Sequence, residues 1–208
     1  MNGPEIAEFV RRAAASVTTE AERLTRLDAA IGDGDHGLNL SRGFAAAVGA
    51  LPAGGPPGKV LIAAGRAIVS KTGGASGPLY GTALRRAGKA CGDADDIDAA
   101  LLGAALRAAL EGVQELGQAA EGDKTMVDAL APAVRAYDEA LAGGNGLADC
   151  ARAAAEAGRE GADATVPMQA RKGRASYLGP RSVGHLDPGA ASTALILAAL
   201  ADVAEGRA

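Results

Sequence analysis

An all-α protein of one domain, with about eight antiparallel helices in a barrel-like bundle, is what this sequence predicts, on three observations. Alanine and leucine dominate while aromatic residues make up only 2% of the chain, and such a composition favours helix over strand. Apolar residues recur at helical spacing, as in the stripe Ile6, Phe9, Val10, Ala13 and Val17. Short glycine- and proline-rich connections separate the periodic segments, which implies antiparallel neighbours.

The first helix follows Pro4. A second begins at Thr19, where Thr19-x-x-Glu22 has capping-box spacing, and runs to the acidic segment after Leu27. A third spans roughly Leu38 to Ala50, ahead of the proline- and glycine-rich turn from Leu51 to Gly58, and a fourth covers Val60 to Ser70. Pro78 suits a first helical position, so Leu79 to Ala90 is the fifth. Asp95 or Asp96 caps a sixth that reaches Leu116, and Asp123 or a neighbour opens a seventh through Leu141. Leu147 to Gly161, a short piece from Ala164 to Arg171, and Ala190 to Ala204 complete the set.

At 208 residues the chain fits one domain over 1–208, large enough to bury a core. A formal charge of −4, scattered cations and few aromatic platforms argue against nucleic acid as a partner. Cys91 and Cys150 have neither metal-ligand nor redox-pair spacing, which fits a reducing compartment. The N-terminus lacks the order of a signal peptide. The longest apolar stretch, Ala190 to Ala204, is short for a bilayer span and holds Ser192, Thr193 and Asp202. A cytoplasmic protein with no membrane association is expected.

The densest chemistry lies in Leu27-Asp28-Ala29-Ala30-Ile31-Gly32-Asp33-Gly34-Asp35-His36-Gly37-Leu38-Asn39. An unbroken helix would set Asp28 and Asp35 about 10 Å apart along its axis and turn Asp33 to another side. Gly32, Gly34 and Gly37 permit the chain to fold back instead, so that the three carboxylates meet. An oxygen-only cluster suits magnesium, which keeps positions open for phosphate oxygens. A solvated turn with capping aspartates fits the same spacing. An EF-hand beginning at Asp33 fails because Phe44 stands where its last glutamate belongs. Gly32-x-Gly34-x-x-Gly37 follows no strand and is crowded with aspartates, unlike a dinucleotide loop. Neither Lys59 nor Lys71 sits in a Walker A pattern.

Four further segments read two ways. Gly73-Gly74-Ala75-Ser76-Gly77 precedes a helix N-terminus, where free N–H groups favour phosphate, or is an ordinary helix entry. Gly122-Asp123-Lys124-Thr125-Met126 is a helix start or the border of a purine, whose face suits a thioether. Arg171, Lys172, Arg174 and Arg181 form an anion-binding loop or a solvated basic one. Asp187, in His185-Leu186-Asp187-Pro188-Gly189, holds a sugar hydroxyl or braces its turn. His36, beside Asp35, is a candidate phosphate contact, whereas His185 reads as structural. No side chain is singled out as a nucleophile.

Taken together and in this order, these blocks, with Leu27-Asp28, Pro78-Leu79 and the run Gln169-Ala170-Arg171-Lys172-Gly173-Arg174-Ala175-Ser176-Tyr177-Leu178-Gly179, resemble the L subunit of dihydroxyacetone kinase across nearly the whole chain. The resemblance implies a helical barrel with ADP or ATP held by loops at one end. By the family's pattern, Asp28, Asp33 and Asp35 would bind two Mg2+ ions. His36, Gly37, Leu38 and Asn39 would line the phosphates, with Ala75 and Ser76 opposite. Gly122, Thr125 and Met126 would border adenine, and Arg174, Asp187, Pro188 and Gly189 would close over the nucleotide. Implied partners are a dihydroxyacetone-binding K subunit and a phosphohistidine M subunit of the phosphotransferase system, which re-phosphorylates bound ADP. The same resemblance leaves open an ATP-dependent keto-sugar kinase module, an ADP-state sensor for a transcription regulator, and a homodimer.

Overall fold

The computed structural model describes residues 1–207. Among the described residues nine α-helices form: α1 (Gly3–Thr19), α2 (Ala21–Ile31), α3 (His36–Gly49), α4 (Pro57–Lys71), α5 (Ser76–Cys91), α6 (Ala99–Gly117), α7 (Val127–Ala142), α8 (Leu147–Ala164) and α9 (Pro188–Ala204). A 3-10 segment, Arg174–Ser182, lies between α8 and α9. No strand occurs among the described residues, so the all-α expectation holds.

Eight of the helices close a ring, in the order α1, α3, α4, α5, α6, α7, α8, α9 and back to α1, and α2 lies against α3 and α9. From α3 onward, consecutive helices run antiparallel; the connections as far as α8 are short and turn the chain back on its predecessor, and the longer one from α8 to α9 carries the 3-10 segment. The apolar stripe of α1 points inward, with Ile6, Phe9, Val10, Ala13 and Val17 all buried. Phe44 and Tyr80 meet edge to face inside the barrel, with ring centres 6.4 Å apart. An apolar cavity of about 90 Å3 remains beside them.

Small residues set how closely the helices approach. Gly58 and Gly65 of α4 face Gly88 and Gly81 of α5, and a Cβ on Gly65 would stand 2.7 Å from the Gly81 carbonyl oxygen. A Cβ on Gly81 would stand 2.7 Å from the Gly65 carbonyl oxygen and 2.3 Å from Val69 Cγ2. This seam holds the α4–α5 pair, and thereby the loop from Thr72 to Ala75.

Several helix ends differ from the sequence reading. Helix α1 begins with a capping box, in which Asn2 Oδ1 accepts from Glu5 N at 3.0 Å and Glu5 Oε2 accepts from Asn2 N at 2.7 Å. It runs through Thr19, so the expected Thr19–Glu22 box does not form and Glu20 joins α1 to α2 without a side-chain cap. Helix α6 is capped by Asp98, which accepts from Leu101 N at 2.8 Å, because Asp95 and Asp96 lie in the preceding loop, where Ile97 N donates to Met1 O. Helices α3, α4, α5 and α9 start at His36, Pro57, Ser76 and Pro188, each two or three residues earlier than expected. The expected piece from Ala164 to Arg171 is mostly turn; local helix appears at Arg174–Ser182 instead. No helix among the described residues is long and apolar enough to cross a membrane.

The α4–α5 seam leaves no room for a methyl group. Gly81→Ala is expected to lower the free energy of unfolding in urea by about 1–3 kcal/mol, the usual range for overpacking; an unchanged midpoint would contradict the close approach.

Candidate functional site

Helices α2, α4, α6 and α8 end, and α3, α5, α7 and α9 begin, at the same end of the barrel. Backbone N–H groups at helix N-termini are unsatisfied within the helix and carry the positive end of its dipole. A cavity of about 420 Å3 opens there, reached by the acidic loop, the loop before α5, the loop before α7, the 3-10 segment and the turn before α9.

Asp28 sits in the last turn of α2 and is buried. Its Oδ2 accepts hydrogen bonds from Asp35 N at 2.8 Å and His36 N at 3.1 Å, so a side chain from α2 caps α3. Asp35, at the N-cap position itself, makes no side-chain cap bond, which leaves its carboxylate for other work. The fold-back requires Gly32, where a Cβ would fall 2.1 Å from Asp28 Oδ1. One carboxylate oxygen from each of Asp28, Asp33 and Asp35 then lies within 4.8 Å of the others. Asp33 and Asp35 are exposed, and Arg174 Nε pairs with Asp33 Oδ2 at 3.0 Å.

This donor set fits magnesium. The ligands are oxygens only, two are open to the cavity, and Gly32 leaves Asp28 Oδ1 uncovered while its other oxygen is engaged by the backbone. Hard cations of this kind take carboxylates together with water and phosphate oxygens.

The loop before α7 departs from the expected helix start at Asp123. Its carboxylate accepts from Ala120 N at 2.9 Å, behind it in the chain, and α7 begins only at Val127. Asp128 orders the loop by accepting from Gly122 N at 2.5 Å and Thr125 N at 2.7 Å. Lys124 adopts the left-handed conformation, φ +61°, and buries its side chain at 1% exposure. Its Nζ donates to Thr165 O at 2.8 Å, Met168 O at 3.1 Å and His185 O at 2.5 Å. Three donors meet three carbonyls, so the ammonium ties the loop before α7 to both ends of the α8–α9 connection. Burial pulls the Lys124 pKa down, against the opposing pull of nearby Asp187.

Asp187 caps α9: Oδ2 accepts from Ala190 N at 2.8 Å, and its own N–H donates to Thr165 Oγ1 at 3.0 Å. Burial, the dominant influence, pushes its carboxyl up to about 7; Asp128 adds to the rise, while the Ala190 N–H and Lys124 resist it. His36 Nε2 lies 2.9 Å from Ser192 Oγ in the first turns of α9. Desolvation lowers the His36 pKa, opposed by Asp28 and Asp35.

The cavity is lined by Asp28, Asp33, Asp35, His36, Ala75, Ser76, Thr125, Met126, Arg174, Asp187, Pro188 and Gly189. Four other candidates stand back from it. Gly37 is packed on α2, where a Cβ would meet Ala21 O at 1.9 Å. Leu38 is 60% exposed, buried Asn39 accepts from the Arg42 side chain, and Gly122 gives its N–H to Asp128. Lys124, Asp128, Tyr80 and Ser192 escaped sequence reasoning. The spacing Thr125-x-x-Asp128, that of a capping box, could have flagged Asp128; nothing local marks the other three.

Residues 30–202 match the DAK2 domain, and the chain belongs to that family. It is 41% identical over 199 residues, covering 95% of both chains, to the ADP-binding subunit DhaL of the PEP-dependent dihydroxyacetone kinase of Escherichia coli K12. It is 44% identical over 187 residues, 88% of both chains, to the DhaL subunit of kinase 1 of Listeria innocua. The resemblance to the L subunit is thereby borne out. A D-erythrulose kinase of Mycolicibacterium smegmatis is 41% identical over 87% of this chain, which spans only 32% of that protein. The crystal structure of the dihydroxyacetone kinase of C. freundii superposes with a TM-score of 0.72 at 26% identity, covering 97% of this chain and 35% of that one. The same kinase has been solved in complex with AMP-PNP and Mg2+.

The Asp187 shift has a sign that stability measurements can read. A carboxyl whose folded pKa is raised contributes stability that is full below the unfolded value, near 4, and is lost as pH rises through 7. Asp187→Asn keeps a capping acceptor but does not titrate. Between pH 5 and pH 7.5, urea unfolding is expected to show the wild type losing about 2 kcal/mol relative to the variant; a pH-independent difference would contradict the shift.

Proposed function

We propose that this chain, as a single nucleotide-binding domain over 1–208, is the subunit of a dihydroxyacetone kinase that carries Mg-ADP or Mg-ATP and passes the terminal phosphoryl group to dihydroxyacetone on a separate K subunit. The observation that carries the reading is the meeting of Asp28, Asp33 and Asp35 beside helix N-termini at one cavity. Its relatives named as ADP-binding subunits of PEP-dependent kinases support it.

Charge decides how such a cavity can take phosphate. Three carboxylates facing a diphosphate repel it in a partly desolvated site. Bound magnesium, two ions in this reading, supplies the positive charge that neutralises phosphoryl oxygens and aligns donor with acceptor. The protein's share is positioning. Asp28, Asp33 and Asp35 hold the cations; His36, with the backbone at Ala75 and Ser76, receives phosphate oxygens, and Gly37, Leu38 and Asn39 support that turn of α3 from behind the cavity wall. The loop Gly122 to Met126 borders the adenine, with Met126 against its face. Arg174, paired with Asp33 in the free chain, turns to the nucleotide when Asp33 takes the cation, and Asp187, Pro188 and Gly189 form the far wall. Re-phosphorylation of retained ADP by a phosphohistidine M subunit is the step this reading assigns to PEP, on which the related kinases depend.

A second reading is favoured by the erythrulose kinases of M. smegmatis: a module using exchangeable ATP for a related keto-sugar. Multiple turnover with ATP and the cognate K protein, in the absence of M, selects it.

Native mass spectrometry of the freshly purified chain is expected to show the mass of one ADP and two magnesium ions. A chain that neither retains nucleotide nor accepts phosphate from a phosphohistidine donor overturns the assignment. Asp33→Asn is expected to weaken Mg-ADP binding at least about tenfold, equivalent to about 1.4 kcal/mol, with little change in Tm because Asp33 is exposed. Undiminished binding removes Asp33 from the metal site.

A further inference from the structure

Tyr80 carries a hydroxyl into the buried interior, where it meets polar side chains of α9. Its hydroxyl, from the second turn of α5, lies 3.0 Å from Gly189 O, 2.7 Å from Ser192 Oγ and 2.8 Å from Thr193 Oγ1. Ser192 Oγ in turn lies 2.9 Å from His36 Nε2 on α3. Side chains from three helices thus form a chain that starts in the core and ends at the cavity wall, between the acidic loop and the turn of Asp187 to Gly189.

Counting protons orders this chain. Ser192 Oγ stands 3.0 Å from Pro188 O, and Thr193 Oγ1 stands 2.8 Å from Gly189 O, the back-bonding positions for hydroxyls in a helix. When each gives its one proton to that carbonyl, the two lone pairs of Ser192 Oγ are free to accept. Whether Tyr80 O–H gives its proton to Ser192 Oγ or to the Gly189 carbonyl, Ser192 Oγ then has none left for His36 Nε2, which must carry hydrogen to bond it. Burial pushes the Tyr80 phenol up to about 12, so it stays a donor. The other imidazole nitrogen, Nδ1, has no protein partner, and it is not among the buried polar atoms left without one, so it remains open to the cavity.

We propose that Tyr80 and Ser192 are positioning residues that hold His36 by its Nε2–H and so present Nδ1 alone to the phosphate side of the bound nucleotide. This rests on the nucleotide reading of the cavity. It assigns His36 one working edge, and it couples that edge to the α9 turn, because the same tyrosine hydroxyl contacts Gly189. A merely structural clamp between α5 and α9 would need Tyr80 and Thr193 but would be indifferent to the state of the imidazole.

The chain contains two histidines, His36 and His185, so imidazole nitrogen NMR of the whole protein can be assigned by replacing His185 with Gln. In the nucleotide-free wild type, His36 is expected to show a fixed protonated Nε2, with Nδ1 the nitrogen whose shift moves when Mg-ADP is added. Ser192→Ala is expected to release the ring into exchange between tautomers and to weaken Mg-ADP binding about fivefold, the loss of one hydrogen bond's worth of orientation. Thr193→Val, which takes a hydroxyl from the clamp without touching the imidazole, is expected to leave the His36 nitrogens as in the wild type. A wild-type His36 with hydrogen on Nδ1 only, or a nitrogen pattern unmoved by Ser192→Ala, overturns the proposal. The nitrogen pattern of the free chain is read without nucleotide, so failure of ADP to bind in calorimetry overturns the nucleotide reading separately.

Discussion

The buried Asp28 carboxylate, capping α3 from the end of α2, is the interaction on which the functional end of the barrel depends. Its Oδ2 satisfies two backbone N–H groups that would otherwise be orphaned at the start of α3, and a carboxylate this buried needs such donors. The bonds fold residues 29–35 back over the helix end. They also take over the role of Asp35 as cap, which leaves the Asp35 carboxylate without a structural task, while Asp33 faces the same corner paired with Arg174. Gly32 is the steric condition for this arrangement.

Around that corner the barrel supplies direction. Antiparallel helices with short connections necessarily gather four N-termini at one end, and the glycine seam between α4 and α5 sets the loop at Thr72 to Ala75 against Asn39 of α3, near Gly73. The remaining walls are joined by Lys124. One ammonium, satisfied by carbonyls from Thr165, Met168 and His185, joins the loop before α7 and the two ends of the α8–α9 connection into one wall. The acidic corner and the loop before α7 therefore meet at a shared cavity while being built from different helices.

Much of this was legible in the sequence, and the exceptions have a physical pattern. Helices could be read because their stripes are long and periodic, and the acidic loop because three carboxylates and three glycines are hard to place in a helix. Caps were read less well. Asp95, Asp96, Asp98 and Asp123 are interchangeable by residue type, and which of them reaches an orphan N–H depends on how Met1 pairs with Ile97 or how the loop at Ala120 turns. Lys124 and Tyr80 were invisible because their partners lie 41 to 61 and 109 to 113 residues away, and a lysine in an Asp-Lys-Thr sequence looks solvent-exposed until the carbonyls that hold it are known.

Cation binding by three carboxylates is the central claim, and diffraction from crystals grown with Mn2+ in place of Mg2+, together with ADP, tests it most directly. The expected result is anomalous density within bonding distance of Asp28, Asp33 and Asp35, with the diphosphate on its open side and Asp33 turned toward the metal. Density at another site, or ADP bound while Asp33 remains paired only with Arg174 and no metal is present among the three carboxylates, would contradict it.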